Sequence, residues 1–322
     1  MSIKLSFNTQ KENNSPQIVI NKSVPQVNNV SNLHMFKSIE KTNIPNEQDD
    51  LQNNKTEKVL LELETMVGLS EVKKLILELQ AYIEIQRKRE KENLRADSMV
   101  LHMIFKGNPG TGKTTVARII GQLLKEMGVL KKGHVIEVER ADMVGEYIGH
   151  TALKTREQIK RALGGVLFID EAYSLARGGE RDFGKEAIDT MVKAMEDHKD
   201  NLILILAGYK DEMVYFMESN PGLRSRFPIH IDFPDYSTNE LMEIAEQMIN
   251  TRQYQFTEEA KKELEKVINN HLLTHKHNGN ARLIRNIIEK TMRQQAIRLV
   301  SRSNVTREEL ILITWHDVRQ IV

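Results

Sequence analysis

Residues 107–114 read GNPGTGKT, between the apolar run Leu101 to Phe105 and an amphipathic helical pattern that begins at Lys113. A G-x-x-x-x-G-K-[ST] stretch set between a strand and a helix leaves few folds open. Its glycines permit backbone angles that aim successive N–H groups at one point, and the following helix N-terminus adds partial positive charge. The product is a cradle for a polyphosphate, formed by Gly107, Asn108, Pro109, Gly110, Thr111, Gly112, Thr114 and Thr115. Lys113 has the length to reach the β- and γ-phosphate oxygens of ATP, and the Thr114 hydroxyl is placed to ligate Mg²⁺.

A cradle of this kind hangs from a buried parallel sheet, and the rest of the chain supplies one. Five short apolar runs recur: Leu101 to Phe105, His134 to Val138, Val166 to Ile169, Leu202 to Ala207 and Ile229 to Phe233. Helical patterns lie between them near 113–127, 151–163, 184–198 and 210–218. Buried strands alternating with helices predict an α/β fold, a five-stranded parallel sheet covered on both faces. Beyond Pro234 the patterns are helical, roughly 238–251, 257–273, 280–301 and a short last helix opened by Thr314 with Asp317 three residues on. These readings divide the chain into a nucleotide-binding domain over 56–235 and a small all-helical lid over 236–322. Residues 1–55 hold no glycine, three of the seven prolines and few apolar positions, which predicts a disordered or loosely docked arm.

The second nucleotide element is Val166-Leu167-Phe168-Ile169-Asp170-Glu171. In a parallel sheet the carboxyl ends of the strands face the ligand crevice, so both acids are expected near the phosphates. Asp170 is the candidate to hold Mg²⁺, and Glu171 the candidate to polarise the attacking water.

Composition narrows the partners. With 46 basic and 45 acidic residues the net charge is +1, so no global field draws in nucleic acid or an anionic membrane. The absence of cysteine excludes disulfides, thiolate metal sites and thiol nucleophiles. No apolar run approaches a membrane span, and the start carries no signal-type apolar core, so a cytoplasmic protein without membrane insertion is expected. His271, His275 and His277 lack the spacing and partners of a metal site and read as an exposed helix end.

The paired nucleotide motifs, with MVGLSEVK before them and helices after, resemble the AAA+ ATPase family. The segments GHVIEVERADMVGEYIGHTALKTREQIKRALGGVLFIDEAYSLARGGERDFGKEAIDTMVKAMED and LILILAGYKDEM are similar to its CbbX-like branch, which contains the red-type Rubisco activase and a bacterial sporulation protein. The sporulation member is the nearer of the two, and the likeness spans about residues 58–302.

That resemblance implies Val67, Gly68 and Leu69 beside the adenine. It makes Arg226, in the Ser225-Arg226-Phe227 motif, an arginine finger, and Arg282, in GNARLIRN, a lid arginine that touches the phosphates. Arg282, Arg285 and Arg293 also share a helical face, which by itself is equally a solvated basic stripe. Tyr147 and Ile148, after the second strand, match a loop that grips substrate in a central pore. Where many members place an asparagine after the fourth strand, this chain reads Ala207-Gly208-Tyr209-Lys210, and Tyr209 stands as the candidate there.

The resemblance further implies a homo-oligomeric ring, a hexamer, that hydrolyses ATP to remodel or thread a protein client in spore maturation. An ATP-dependent assembly scaffold and a DNA-acting loader use the same core. A DNA reader calls for a basic winged-helix or zinc appendage, and none is visible, so nucleic acid is not the expected partner.

Overall fold

The computed structural model describes residues 47–96, 99–147, 149–177, 182–218, 220–274 and 279–320. Residues 1–46, most of the expected arm, lie outside the described residues, as do Ile148, His275 and His277.

Five strands form the sheet: β1 (Met103–Gly107), β2 (Val135–Val138), β3 (Val166–Ile169), β4 (Ile203–Gly208) and β5 (Ile229–Phe233). Their order is β2-β3-β4-β1-β5, and every neighbouring pair is parallel. The central strands β3 and β4 are buried at every position, which is why they read as unbroken apolar runs. At the edge, β5 buries Ile229, Ile231 and Phe233 and turns His230 and Asp232 outward. β1 begins two residues later than apolarity alone predicts. Leu101 and His102 are buried too, but the ladder starts where Met103 pairs with both Ile205 and Ile229.

Side-chain alternation along these strands feeds two cores, one on each face of the sheet. Ile104, Leu167, Ile169, Leu204 and Leu206 pack against α5 (His150–Ala162), α6 (Gly184–Asp197) and α7 (Lys210–Glu218). Met103, Phe105, Phe168, Ile205 and Phe233 face the other way, toward α3 (Lys113–Glu126) and the helices before the sheet, α1 (Glu47–Thr65) and α2 (Ser70–Lys91). Phe105 lies between Phe168 and Phe233, with ring centroids 6.4 and 5.0 Å away.

The start of α1 corrects one expectation: residues 47–55, assigned from composition to the arm, are helical. Val59 and Leu63 anchor α1 in the core, and α1 packs along α3. Once that anchor nucleates the helix, good helix formers such as Glu, Gln and Lys extend it at little cost.

The short α8 (Pro221–Arg224) precedes β5, and after β5 come α9 (Thr238–Thr251), α10 (Glu258–Thr274) and α11 (Asn280–Val300), followed by the short α12 (Arg307–Ile311) and α13 (Trp315–Arg319). α9 opens on a capping box in which Ser237 and Glu240 satisfy each other's backbone N–H groups, and α13 opens on another made by Thr314 and Asp317. A two-residue parallel ladder, Gln255–Phe256 with Leu312–Ile313, ties α12 and α13 back to the bundle. The sequence does not announce it, because two residues carry no periodicity. Leu241, Ile244, Leu283 and Ile284 belong to the same core cluster as Phe105, so the helical part is seated on the sheet domain through continuous apolar contact. Among the described residues no helix is long and apolar enough to cross a membrane.

Candidate nucleotide site

At the carboxyl end of the sheet a cleft of about 940 Å³ is lined by Lys113, Thr114, Asp170, Glu171, Tyr209 and Arg282, with the glycine loop as its floor. The loop has the conformation its glycines predict. Gly110 and Gly112 have φ of 74° and 97°, the left-handed region that penalises a side chain. Gly107 is required by crowding instead: a Cβ there would stand 2.4 Å from the Phe233 carbonyl oxygen.

The Lys113 ammonium donates to the carbonyls of Gly107 and Asn108, both at 2.8 Å, which holds the charge at the mouth of the loop. Burial pulls its pKa below the ordinary lysine range. The Asp170 carboxylate opposes this most, with Asp235 and Glu171 behind it, while the positive charge of Arg282 adds to the depression. A bound polyphosphate adds further negative charge to that which Asp170 sets beside this half-buried cation.

The two acids leave β3 in different ways. The backbone N–H of Asp170 donates to Val138 on β2 at 3.0 Å, so the sheet fixes its position. Its Oδ1 accepts from the Glu171 N–H at 3.0 Å. Glu171 has φ 46°, a left-handed geometry costing a non-glycine residue on the order of 1 kcal/mol. It is exposed and opens a 3-10 turn over Ala172–Ala176. In that turn the Tyr173 phenol is pushed up to about 12, first by burial and then by the Glu171 charge. Asp170 and the Thr114 hydroxyl face one cleft, and one carboxylate plus one hydroxyl beside phosphate oxygens is the donor set on which Mg²⁺ is usually held, the remaining positions being water.

The sequence-predicted residues do not all meet there. Arg282 lines the cleft, and so does Arg285, which was legible only as part of a basic helical face. Arg226 stands apart, lining a different cavity, with its guanidinium ion-paired to Glu196 and donating to the Gly222 carbonyl at 2.8 Å. Val67 is buried in the core. Gly68 is pressed against the lid, where a Cβ would stand 2.3 Å from a Glu240 carboxylate oxygen. Leu69, the third of these residues, comes with Met66 and Tyr236 against the Gly112 end of α3.

Val144, Gly145 and Glu146 form part of the cleft wall, and the next residue, Tyr147, is 66% exposed with its ring edge-on to His150. Arg140, in the four-residue helix α4 (Arg140–Met143), lines the cleft while bound to Asp182 and to the Ser174 carbonyl. No sequence motif marked it, because its partners lie 34 and 42 residues away.

A family model described as "ATPase family associated with various cellular activities (AAA)" matches residues 103–235, and one described as "AAA lid domain" matches 237–321. Stage V sporulation protein K of Bacillus subtilis (strain 168) is 56% identical over 263 residues, covering 80% of each chain. The chain belongs to the AAA ATPase family. Protein CbbX of Cereibacter sphaeroides is 48% identical over 265 residues, 81% of this chain and 85% of that one. Among solved structures, the FIGL-1 AAA domain in complex with ADP superposes with a TM-score of 0.55 at 16% identity, covering 80% of this chain and 81% of the other, a likeness of fold. As an AAA ATPase the chain binds and hydrolyses nucleotide, and the five-stranded sheet with its helical lid is the fold of that family.

Proposed function

We propose that this AAA ATPase binds ATP with Mg²⁺, assembles into a homo-hexameric ring and uses hydrolysis to thread or remodel a protein client. In the proposed cycle the loop amides and Lys113 hold the phosphates, and Thr114 and Asp170 would hold Mg²⁺, which when bound would neutralise phosphate charge. Glu171 accepts a proton from the attacking water. Arg282 reads the phosphates from the lid, and Arg226 serves the cleft of the next subunit. Residues 56–235 are taken as the nucleotide-binding domain and 236–322 as the lid. The name of the Bacillus subtilis relative supports spore maturation as the setting.

The observation that carries the remodelling reading is the loop after β2. Its stem, Val144 to Glu146, is wall of the nucleotide cleft, while Tyr147 one residue on stands in solvent with a large apolar ring. A change at the phosphates therefore has a short covalent path to an aromatic suited to gripping an extended peptide. Being exposed, Tyr147 does not serve the core.

The test pairs two variants. Glu171→Gln, in ATP, is expected to form stable rings that retain a client for identification by mass spectrometry. Tyr147→Ala is expected to keep its melting temperature and basal ATP hydrolysis and to lose stimulation by that client. Stimulation undiminished in Tyr147→Ala sinks threading and favours an assembly scaffold.

A further inference from the structure

Every carbonyl from Gly107 to Thr111 is tied to a donor. Lys113 holds those of Gly107 and Asn108 from within the loop's own helix. The next three are held from outside. The Asn280 side-chain amide donates to Pro109 at 3.2 Å, the Ala281 backbone N–H to Gly110 at 3.1 Å, and the Tyr236 hydroxyl to Thr111 at 3.1 Å. In a planar trans peptide the C=O and the following N–H point in opposite directions. Pinning the carbonyls of residues 109–111 therefore directs the N–H groups of Gly110, Thr111 and Gly112 away from those donors, in the sense an anion cradle needs.

Asn280 is the hub of this arrangement. It is fully buried at the start of α11, with φ 48°, a region that asparagine tolerates better than other side chains. Its Oδ1 accepts from the Tyr236 N–H at 3.0 Å. Its Nδ2 donates to Asp235 at 2.8 Å as well as to Pro109. Both Asp235 oxygens accept in turn from the Asn108 amide, at 3.0 and 2.9 Å. One side chain thus joins the glycine loop, the segment leaving β5 and the lid.

We propose that Asn280 is a positioning residue for the nucleotide: seated in the lid, it orients the phosphate-loop amides through Pro109, with Asp235 aiming its own amide. The proposal rests on the glycine loop being the nucleotide site. Its role differs from that of a lid arginine, because it acts on the loop and not on the ligand. The effect falls on the phosphates that ADP and ATP share, so affinity for both nucleotides depends on it alike.

The experiment uses the full chain, with fluorescent ADP and ATP analogues for Kd, steady-state ATP hydrolysis for KM and kcat, and thermal melts of nucleotide-free protein. Asn280→Asp keeps the size, the backbone preference and the acceptor for Tyr236, but loses the donor to Pro109 and sets a carboxylate against Asp235. It is expected to raise Kd for ADP and ATP together by about 10-fold or more, as for loss of one well-placed hydrogen bond to the phosphate cradle. KM rises with Kd while kcat falls less, and Asn280→Ala behaves alike. Asp235→Ala, at an exposed position, should shift both affinities in the same direction, and the Asp235→Ala/Asn280→Asp double variant should lose less than the sum. A lowered melting temperature with wild-type Kd in the folded protein overturns the proposal. If neither Asn280 variant folds, Asp235→Ala decides, and unchanged affinity there overturns it equally. Undiminished nucleotide binding by Lys113→Ala would instead indict the reading of the loop itself.

Discussion

Arg226 is ion-paired to Glu196 of its own chain and donates to the Gly222 carbonyl, away from the cleft that holds Lys113 and Glu171. A guanidinium so placed lies outside its own chain's cleft, and in the proposed ring the phosphate it would serve is that of the next subunit. Arg226→Ala is therefore expected to bind ATP with wild-type Kd and to hydrolyse it about 10³-fold or more slowly, the scale on which an arginine finger acts in phosphoryl transfer. Mixing it with Lys113→Ala should recover part of the activity, through junctions that pair an intact loop with an intact finger. Loss of affinity without recovery on mixing would count against action in trans.

Lys113 and Glu171 share a cleft yet should fail in separable ways. Lys113→Ala removes the half-buried cation that faces the phosphates, so nucleotide affinity should fall by about two orders of magnitude or more. Glu171→Gln leaves the cradle intact, so it should bind ATP normally and turn over at under 1% of the wild-type rate. Equilibrium binding beside single-turnover hydrolysis distinguishes the two.

His102 makes the fold acid-sensitive in a defined window. It is 5% exposed beside Phe227, its Nδ1 accepts from the Leu204 N–H at 3.1 Å, and burial lowers its pKa to about 4. The unfolded chain protonates near pH 6.5, so between 6.5 and 4 the unfolded state binds more protons than the folded one. Stability is full above that window and declines as pH falls through it, by roughly 3 kcal/mol at its lower end. Denaturant titrations from pH 7 to 4 should show this loss, and His102→Gln, which keeps an acceptor, should flatten it.

The lid is closed by a second buried charge. Asp317, 2% exposed, receives two hydrogen bonds from Arg298, at 2.8 and 2.9 Å, and two from Thr314 at 2.9 Å. Burial by itself would raise the Asp317 pKa, but these donors outweigh it and hold the carboxyl below the usual range. Its contribution is thus complete above the unfolded value near 4 and is lost as pH falls toward the folded one. Arg298→Met strands the carboxylate and should cost about 3 kcal/mol at pH 7, read by chemical denaturation, with acid unfolding moved to higher pH. Asp317→Asn in that background should return part of the loss.

The parallel sheet, the loop and the two acids after β3 were legible in the chain because each is a local pattern. A strand buried on both faces must be apolar throughout, as Val166–Ile169 is, and a phosphate cradle must place glycine where φ is positive, as at Gly110 and Gly112. The capping box from Thr314 to Asp317 is a four-residue signal of the same kind.

What tertiary structure decided are contacts whose partners lie far apart in the chain. Arg140 reaches Asp182, Asn108 meets Asp235, and Asn280 holds Pro109 across a sequence separation of 171 residues. A hydrogen bond needs only two groups at the right distance and angle, and no periodicity announces it. Arg282 and Arg285 looked alike with Arg293 on one helical face until the seating of α11 turned the first two into the cleft. Arg226 could be placed in its motif from sequence, but only the fold shows that it stands outside its own chain's cleft, because that separation is a property of how the sheet and helices pack.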